Sequence, residues 1–378
     1  MRMTAPLIPA EHLLLDSGLV HLQTGGVGAI PRPVLEAMAA AELEVEADPA
    51  RATYGPGMGQ LEKVRAKTAA LVGAEAGDII LTTSATQAMF LIAQGLKLTH
   101  GDHVLTTDHE HPGGRLGWDW AARRFGIEVD AIPIAPDETD GQAIVERFAD
   151  RILPRTRVIS VSHVLFTTGV KLPVAGLCAL AREHGCWAVI DGAQGPGAMP
   201  VDVAALGCHA YASSGHKWLL GPKGTGFLYL SDEMSGALDA LPIADGRHPG
   251  SNSTGIVNIA GLRGMGAAVD YVQALGPRRI AEHNQTLRGE LHAELSRLSQ
   301  VHIPAPADGP LTSANLAFCL PDSIDLHALR RNLVIRHKVY IRVVELAGFS
   351  GLRASLHAYN GSEDVGRLVD ALRTELAA

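Results

Sequence analysis

A lysine in a glycine-rich turn follows a strand that ends in an aspartate. Segment 213–226 reads SSGHKWLLGPKGTG, which sets Lys217 between small polar residues and a glycine-rich loop. About two dozen residues earlier, the apolar run at 186–190 ends in Asp191. A lysine amine forms Schiff bases, a buried carboxylate holds a protonated ring nitrogen, and hydroxyl, imidazole and backbone N–H groups bind phosphate. Pyridoxal phosphate (PLP) chemistry needs these features together.

Two other segments place ionisable side chains beside apolar strands. Residues 107–114 read TDHEHPGG, and residues 352–360 read LRASLHAYN. The pair His109 and His111 is flanked by acids, but no further His or Cys stands at ligand spacing, so we expect no metal. Arg353 lies in an apolar run and needs an anionic partner, which is either a bound carboxylate or an internal acid.

These segments resemble the class V aminotransferase branch of the fold-type I PLP enzymes, which includes cysteine desulfurases, isopenicillin N epimerase and cysteine/cystine C–S lyases. The motifs SSGHKWLLGPKGTG, EHPG at 110–113 and RASLHAYN at 353–360 carry the resemblance. It implies catalytic roles for Lys217, His111 and Asp191. It implies contacts with PLP for Ser84, Ala85, Thr86, His111, Asp191, Gln194, Ser214, His216, Lys217 and Thr254.

The resemblance also divides these contacts by role. Lys217 carries the cofactor, Asp191 holds its pyridinium nitrogen and Gln194 donates to its phenolic oxygen. The turn at 83–88 and the pair Ser214 and His216 bind its phosphate, and Thr254 reaches the phosphate of a second subunit, which implies a homodimer with shared active sites.

Several of these positions have a second interpretation. Ser84 is also a good helix N-cap, since it stands where a strand turns into a helix. His109 replaces His111 as the residue that stacks on the cofactor if the alignment slips by two positions. His163 is either a site residue or a core histidine.

The resemblance assigns Arg353 to the substrate α-carboxylate, and Arg342 is a candidate for a second anionic contact. Persulfide-forming desulfurases have a cysteine on the loop before this arginine strand, whereas residues 339–351 contain none. We therefore expect a PLP enzyme that cleaves a C–S bond of a cysteine-type amino acid by β-elimination, without an enzyme persulfide. Aminotransfer and epimerisation remain open.

Strand and helix signals alternate from about residue 60, which predicts an α/β protein with a mainly parallel sheet. The resemblance implies seven strands and a fold-type I transferase. Strands are predicted at 78–83, 103–107, 127–134, 158–162, 187–191, 210–213 and 226–230. After Gly255 the pattern predicts helices 258–275, 279–298, 326–333 and one from 362, with strands 315–319, 339–343 and 352–357.

We expect a large PLP-binding domain over 30–255 and a smaller α+β domain built from 1–29 and 256–378. The glycine clusters TGGVGA and YGPGMGQ lack the spacing of a nicotinamide-binding fingerprint. A catalytically inactive PLP-type fold used for ligand sensing is the alternative from another functional class, and the intact Asp191, Lys217 and Arg353 argue against it.

Bulk composition fits an enzyme that acts on a small molecule. The formal net charge of -8 argues against nucleic acid or an anionic membrane as the main partner. The four cysteines show no CxxC spacing, no apolar run reaches the length of a membrane span and no signal peptide is evident, so we expect a cytoplasmic protein.

Overall fold

A computed structural model describes residues 3–54, 56–239 and 256–377. The strands, in chain order, are β1 Val20–His21, β2 Ile79–Thr82, β3 His103–Thr107, β4 Glu128–Ile132, β5 Thr156–Ser162, β6 Trp187–Asp191, β7 Ala210–Ser214, β8 Gly226–Leu230, β9 Asn315–Phe318, β10 Val339–Tyr340, β11 Arg342–Leu346 and β12 Phe349–Ser355. The α-helices are α1 Arg32–Ala47, α2 Pro49–Thr53, α3 Pro56–Val72, α4 Ala85–Gly95, α5 Pro112–Phe125, α6 Gly141–Ala149, α7 Val174–Glu183, α8 Val203–Leu206, α9 Asp232–Ala237, α10 Ile259–Leu275, α11 Pro277–Leu295, α12 Leu326–His337 and α13 Ser362–Leu376.

The large sheet has seven strands in the order β2-β8-β7-β6-β5-β3-β4. Its pairs are parallel except those made by β8, which runs antiparallel to both β2 and β7. The predicted α/β class and mainly parallel seven-stranded sheet are therefore confirmed. The carboxyl ends of the parallel strands meet at one edge, where such sheets hold their ligands.

Alternating side chains bury both faces of this sheet. Ile79, Leu105 and Ile159 point into the apolar cluster that contains α3 and α7, while their neighbours join the cluster with α4 and α5. Strands buried on both faces read as nearly continuous apolar runs, which is why the sequence revealed them. Their bounds differ from the prediction by a few residues, as at the strand predicted over 127–134.

The small sheet is antiparallel, in the order β11-β12-β9. The strand predicted over 352–357 instead begins at Phe349, because Ala347 and Gly348 both have positive φ and form a two-residue hairpin turn after β11. The strand predicted over 339–343 divides in two: β10 pairs in parallel with β1, and β11 pairs with β12. Leu316, Leu352 and Ala354 face a core shared with α11, α12 and α13.

In the N-terminal arm, β1 and β10 form a separate two-stranded sheet, and Gln23 joins the arm to the small sheet through a parallel bridge with Ser355. Helix α10 contributes Ile259, Leu262 and Met265 to the core under the large sheet. The division into domains at 255/256 remains a prediction. Within the part of the chain that the structure describes, no helix is long and apolar enough to cross a membrane.

Candidate active site

The carboxyl ends of adjacent parallel strands carry the predicted site residues. Asp191 ends β6, Ser214 ends β7 and Ser162 ends β5. Ser162 and Ala212 are the register partners of Asp191 on either side. Lys217 follows β7 by three residues, so chain connectivity alone places it at this edge.

Asp191 and Lys217 form the electrostatic centre of the site. Burial raises the pKa of Asp191, while the charge of Lys217 and the N–H of Ala193, which donates to Oδ1 at 2.9 Å, act in the opposite direction. Burial lowers the pKa of Lys217 to about 8; Asp191 opposes this, and Arg353 and Arg342 add to it. A lysine with this pKa is partly neutral near physiological pH and can accept a proton.

The backbone around Lys217 forms a closed turn. Gly221 N–H donates to the carbonyl of Gly215 at 2.7 Å, and Leu220 N–H donates to the carbonyl of Lys217 at 3.1 Å. Leu220 adopts φ of 57°, an uncommon conformation for a side chain of this size. The N-terminal arm closes the turn from outside, because Gly28 N–H donates to the carbonyl of His216 at 2.7 Å. A Cβ at Gly28 would lie 2.2 Å from the carbonyl oxygen of Lys217, so glycine permits this approach.

The N-terminus of α4 faces the end of β7. Ser84 caps the helix and accepts from Gln87 N–H at 3.2 Å, as its second interpretation predicted. Ala85 N–H donates to Ser214 Oγ at 2.9 Å, which joins two segments assigned to phosphate binding. Nδ1 of His216 is buried without a hydrogen-bond partner among the described residues.

The two histidines of the EHPG segment have different environments. His109 is buried, and its Nδ1 bonds to Thr167 Oγ1 at 2.7 Å. His111 is half-buried, packs edge-on against Phe166 at 4.9 Å between ring centroids, and accepts from Gly113 N–H at 3.0 Å through Nδ1. Burial and the charges of Lys217, Arg342 and Arg353 lower the pKa of His111 to about 4, so its ring is neutral.

A buried carboxylate between these histidines was not assigned a role from the sequence. Glu110 accepts from Ser162 N–H at 3.0 Å, Ser162 Oγ at 2.6 Å and Thr107 Oγ1 at 2.8 Å. The β3–β5 pairing ends at Leu105 and Ile159, and this carboxylate bridges the two strand ends beyond that point. Burial raises the pKa of Glu110 to about 7.

Gln194 is held at both ends of its amide. Its Nε2 donates to the carbonyl of Gly25 at 2.9 Å, and its Oε1 accepts from Trp218 Nε1 at 2.8 Å. The second Nε2–H remains available as a donor. A Cβ at Gly25 would lie 2.9 Å from Gln194 Oε1, Arg353 Nη2 and Ser355 Oγ, so glycine lets the arm reach all three.

Arg353 is fully buried, and no acidic residue in the described chain forms an ion pair with it. Nη1 donates to the carbonyl of Phe166, while Nε and Nη2 have no partner. These two nitrogens share one edge of the planar guanidinium, the edge that binds a carboxylate through two parallel hydrogen bonds. Burial, with the charge of Arg342, lowers the pKa of Arg353 to about 9, so the group stays protonated at neutral pH.

Arg342 stands beside Arg353 because the two are register partners on β11 and β12. Its guanidinium carbon lies 5.7 Å from the ring centroid of Phe166, within the range of a cation–π contact. Its Nε is buried without a partner. Phe166 therefore contacts His111 and both arginines.

The remaining sequence predictions fall outside this cluster. His163 is a core residue whose Nδ1 bonds to Tyr211 OH at 2.9 Å, and Lys223 is exposed. Thr254 lies outside the described residues. Three cysteines are buried and Cys319 is half-buried, and burial raises the pKa of every thiol.

The family model for class-V aminotransferases matches residues 20–368. The chain belongs to the class-V aminotransferase family. An isopenicillin N epimerase of Amycolatopsis lactamdurans is 31% identical to it, over 96% of each chain. A probable cysteine desulfurase of Methanothermobacter thermautotrophicus is 29% identical, over 93% of this chain and 94% of the relative.

Solved structures match the whole fold. A C-DES variant with glycine covalently linked to its PLP cofactor superimposes with a TM-score of 0.88, at 25% identity over 97% of this chain and 99% of that chain. The cystine C–S lyase C-DES with its product cysteine persulfide gives a TM-score of 0.86, at 26% identity over 94% of this chain and 97% of that chain. The protein is thus a PLP-dependent enzyme of the class-V aminotransferase family.

The residues at the strand ends fit PLP. A Cβ at Gly114 would lie 2.7 Å from Asp191 Oδ2, and one at Gly113 would lie 2.3 Å from Thr86 Oγ1. The two glycines therefore keep space open beside the carboxylate and the hydroxyl. The unpartnered Nδ1 of His216 supplies a further polar group for an anion.

Sequence reasoning missed three contributors to this site. The glycine cluster at 24–29 was considered only as a failed nucleotide fingerprint, although it carried the signal of close backbone approach. Glu110 was quoted within its motif without a role. Ser355 lies two residues after Arg353 in the predicted strand, so alternation along the strand already placed both on one face, but Ser355 was given no role.

Proposed function

We propose that this enzyme cleaves a C–S bond of a cysteine-type amino acid by β-elimination and forms no enzyme persulfide. The observation that carries the proposal is a buried lysine of lowered pKa at the strand ends, with no cysteine among the described residues that surround it. Three of the four cysteines are buried and Cys319 is half-buried, and burial raises the pKa of each thiol. The structural likeness to a cystine C–S lyase supports the same reaction.

In this proposal Arg353 would bind the substrate α-carboxylate, and Lys217 would hold the cofactor as a Schiff base in the absence of substrate and serve as a base in its presence. PLP supplies the electron sink for charge that develops at Cα. Lys217 Nζ then removes the Cα proton. The Cβ–S bond breaks, the sulfur leaves with its bonding electrons, and hydrolysis of the released enamine gives pyruvate and ammonium.

His111 argues against a two-base epimerisation. Its Nδ1 lone pair accepts from Gly113 N–H, so in the neutral ring Nε2 carries the proton. Neither nitrogen then offers a free lone pair to a substrate proton, which leaves Lys217 as the basic group on one side. We propose that His111 packs against the cofactor ring instead.

Epimerisation is the second candidate, because the isopenicillin N epimerase of A. lactamdurans aligns over nearly the full length of both chains. Aminotransfer needs only one base and is the third. A panel of amino acids separates the three reactions: elimination yields pyruvate without a keto-acid acceptor, aminotransfer requires the acceptor, and epimerisation changes only chirality. Racemised cystine or cysteine without pyruvate would overturn the lyase proposal.

Arg342 supports a substrate with a second anionic group. Two adjacent guanidiniums without an acidic partner in the described chain favour a dianionic ligand. We expect Arg342→Gln to weaken binding of an amino acid with a distal carboxylate more than binding of alanine. Equal losses for both ligands would remove Arg342 from the substrate site.

We also propose a homodimer in which Thr254 serves the partner's cofactor. Lys217 and Arg353 interact within one chain, so mixing variants of those two residues cannot restore activity. A mixture of Lys217→Ala and Thr254→Ala can, because one of the two hybrid sites keeps both native residues. A monomeric enzyme at micromolar concentration would contradict the proposal, and so would mixing without any recovery.

A further inference from the structure

One face of the small sheet changes from apolar to polar along its strands. Side chains of register partners in an antiparallel sheet lie on the same face. Val344, Ala317 and Phe349 form a small apolar cluster at one end. The other end carries four polar residues on the same face, as the register of β11, β12 and β9 defines them: Arg342, Arg353, Ser355 and Asn315.

Ser355 and Asn315 are buried here without any side-chain partner in the described chain. Ser355 is 0% exposed and its Oγ has no hydrogen bond; Asn315 is 1% exposed and neither amide atom has one. Buried polar atoms are nearly always paired, because an unpaired one costs stability. Two such residues in direct register indicate a ligand rather than a structural role.

The unpartnered hydroxyl lies close to the unpartnered edge of Arg353. Ser355 Oγ and Arg353 Nη2 are each 2.9 Å from the point where a Cβ of Gly25 would stand, so they lie within twice that distance of each other. Asn315 lies across the strand pair from Ser355 and against Gly169, whose hypothetical Cβ would be 2.8 Å from Asn315 Cβ. Glycines thus bring backbone segments up to this row of polar groups.

We propose that Ser355 and Asn315 extend Arg353 into one binding site for the α-carboxylate of the substrate. This inference rests on the proposed function only in taking the substrate to be an α-amino acid. The guanidinium edge gives one hydrogen bond to each carboxylate oxygen, and each oxygen keeps a lone pair. The Ser355 hydroxyl and the Asn315 N–H groups donate to those lone pairs and select a carboxylate over a neutral group.

The test compares glycine with methylamine, which lacks only the carboxylate. Each is titrated into the PLP-loaded enzyme, and the dissociation constant is taken from the visible absorbance change. We expect Ser355→Ala to weaken glycine roughly tenfold and to leave methylamine unchanged. Because the hydroxyl has no partner in the protein, the free energy of unfolding without ligand should stay equal or rise.

Ser160→Ala is the matched control. Ser160 is also a buried serine, but its Oγ accepts from Trp118 Nε1 at 2.8 Å. This variant should lose stability and keep its preference for glycine. Asn315→Leu, which keeps the branching at Cγ and removes both polar atoms, should follow Ser355→Ala in both measurements.

The inference is overturned if Ser355→Ala loses stability as Ser160→Ala does and binds glycine normally. It is also overturned if Asn315→Leu folds and binds glycine as tightly as the native enzyme does. Its failure differs from failure of the lyase proposal: a Ser355-dependent preference for glycine without pyruvate formation supports the carboxylate site and rejects elimination. Pyruvate formation with a Ser355→Ala variant of native affinity does the reverse.

Discussion

The two sides of the active site treat their buried polar groups in opposite ways. At the ends of the large-sheet strands, Glu110, Gln194 and Ser214 each bond to neighbouring protein groups. On the small sheet, Arg353 and Ser355 keep donors without partners. Nδ1 of His216 and Oγ1 of Thr106 on β3 are exceptions on the first side.

This difference separates polar groups that support the fold from polar groups that recognise a ligand. A paired polar group holds a fixed geometry and stabilises the fold, so its loss should cost free energy of unfolding. An unpaired buried group costs stability until a ligand bonds to it, so its loss should reduce binding. Asp191 and Lys217 are intermediate between these two kinds of group. Each is a buried ionisable residue, and the charge of the other offsets only part of the effect of burial on its pKa.

Removing the lysine should have the largest effect. Lys217→Ala is expected to abolish turnover, since it removes both the attachment point and the base. Lys223→Ala, six positions further along the same loop, is the matched control and should retain activity. Borohydride reduction followed by peptide mapping should label Lys217 in the native enzyme. A label on Lys223 would reassign the role.

Asp191→Asn should lower turnover by orders of magnitude and leave cofactor binding measurable, because a neutral amide no longer stabilises a protonated ring nitrogen. Steady-state kinetics on the PLP-loaded enzyme measures this. Asp108→Asn is a suitable comparison, as Asp108 also follows a large-sheet strand but accepts from Ile134 N–H at 3.1 Å. Similar activity in the two variants would refute the assignment of Asp191.

His163, a hydrogen-bonded residue in the core of the large-sheet side, should make the free energy of unfolding depend on pH in the acid range. Burial lowers the pKa of His163 from 6.5 to about 4, so the folded protein binds fewer protons than the unfolded chain between these values. The stability that His163 contributes is present above pH 6.5 and is lost as the pH falls to 4, by about 3 kcal/mol. Denaturant unfolding of native protein and His163→Gln across this range should show the smaller loss in the variant. Parallel curves would contradict the idea.

Arg353→Lys should weaken amino-acid binding by about 2 kcal/mol, since it keeps a charge and loses the two-bond guanidinium edge. Titration of the PLP-loaded enzyme with glycine measures the change. The free energy of unfolding should fall little. A large loss of stability with native affinity for glycine would show that Arg353 stabilises the fold and does not bind the substrate.

Much of the site follows from local sequence. The strands at 187–191 and 210–214 are apolar runs of strand length, and their polar last residues therefore lie at the ligand-binding edge of a parallel sheet. Ser84, at the junction of a strand and a helix, is recognisable as a cap for the same reason. These features depend on residues that are close in the chain.

Other features depend on contacts between distant segments. His109 is fixed by Thr167, which lies 58 residues away, and this contact favours His111 as the residue that faces the cofactor. Gly25 meets Gln194 and Arg353 because Gln23, two residues earlier in the N-terminal arm, forms a bridge with Ser355 of the small sheet. A motif of two histidines or a cluster of glycines does not show which distant residues it will contact in the folded chain.

The sequence by itself therefore determined the α/β order of the chain and, through its family motifs, the cofactor class, and it predicted Lys217 and Asp191 as the residues that hold the cofactor. Periodicity and strand ends act over a few residues, and the sequence displays them directly. Tertiary structure decided which buried groups find a partner in the protein. Pairing of buried donors depends on register and close backbone approach across the fold, as the unpaired edge of Arg353 beside Ser355 shows.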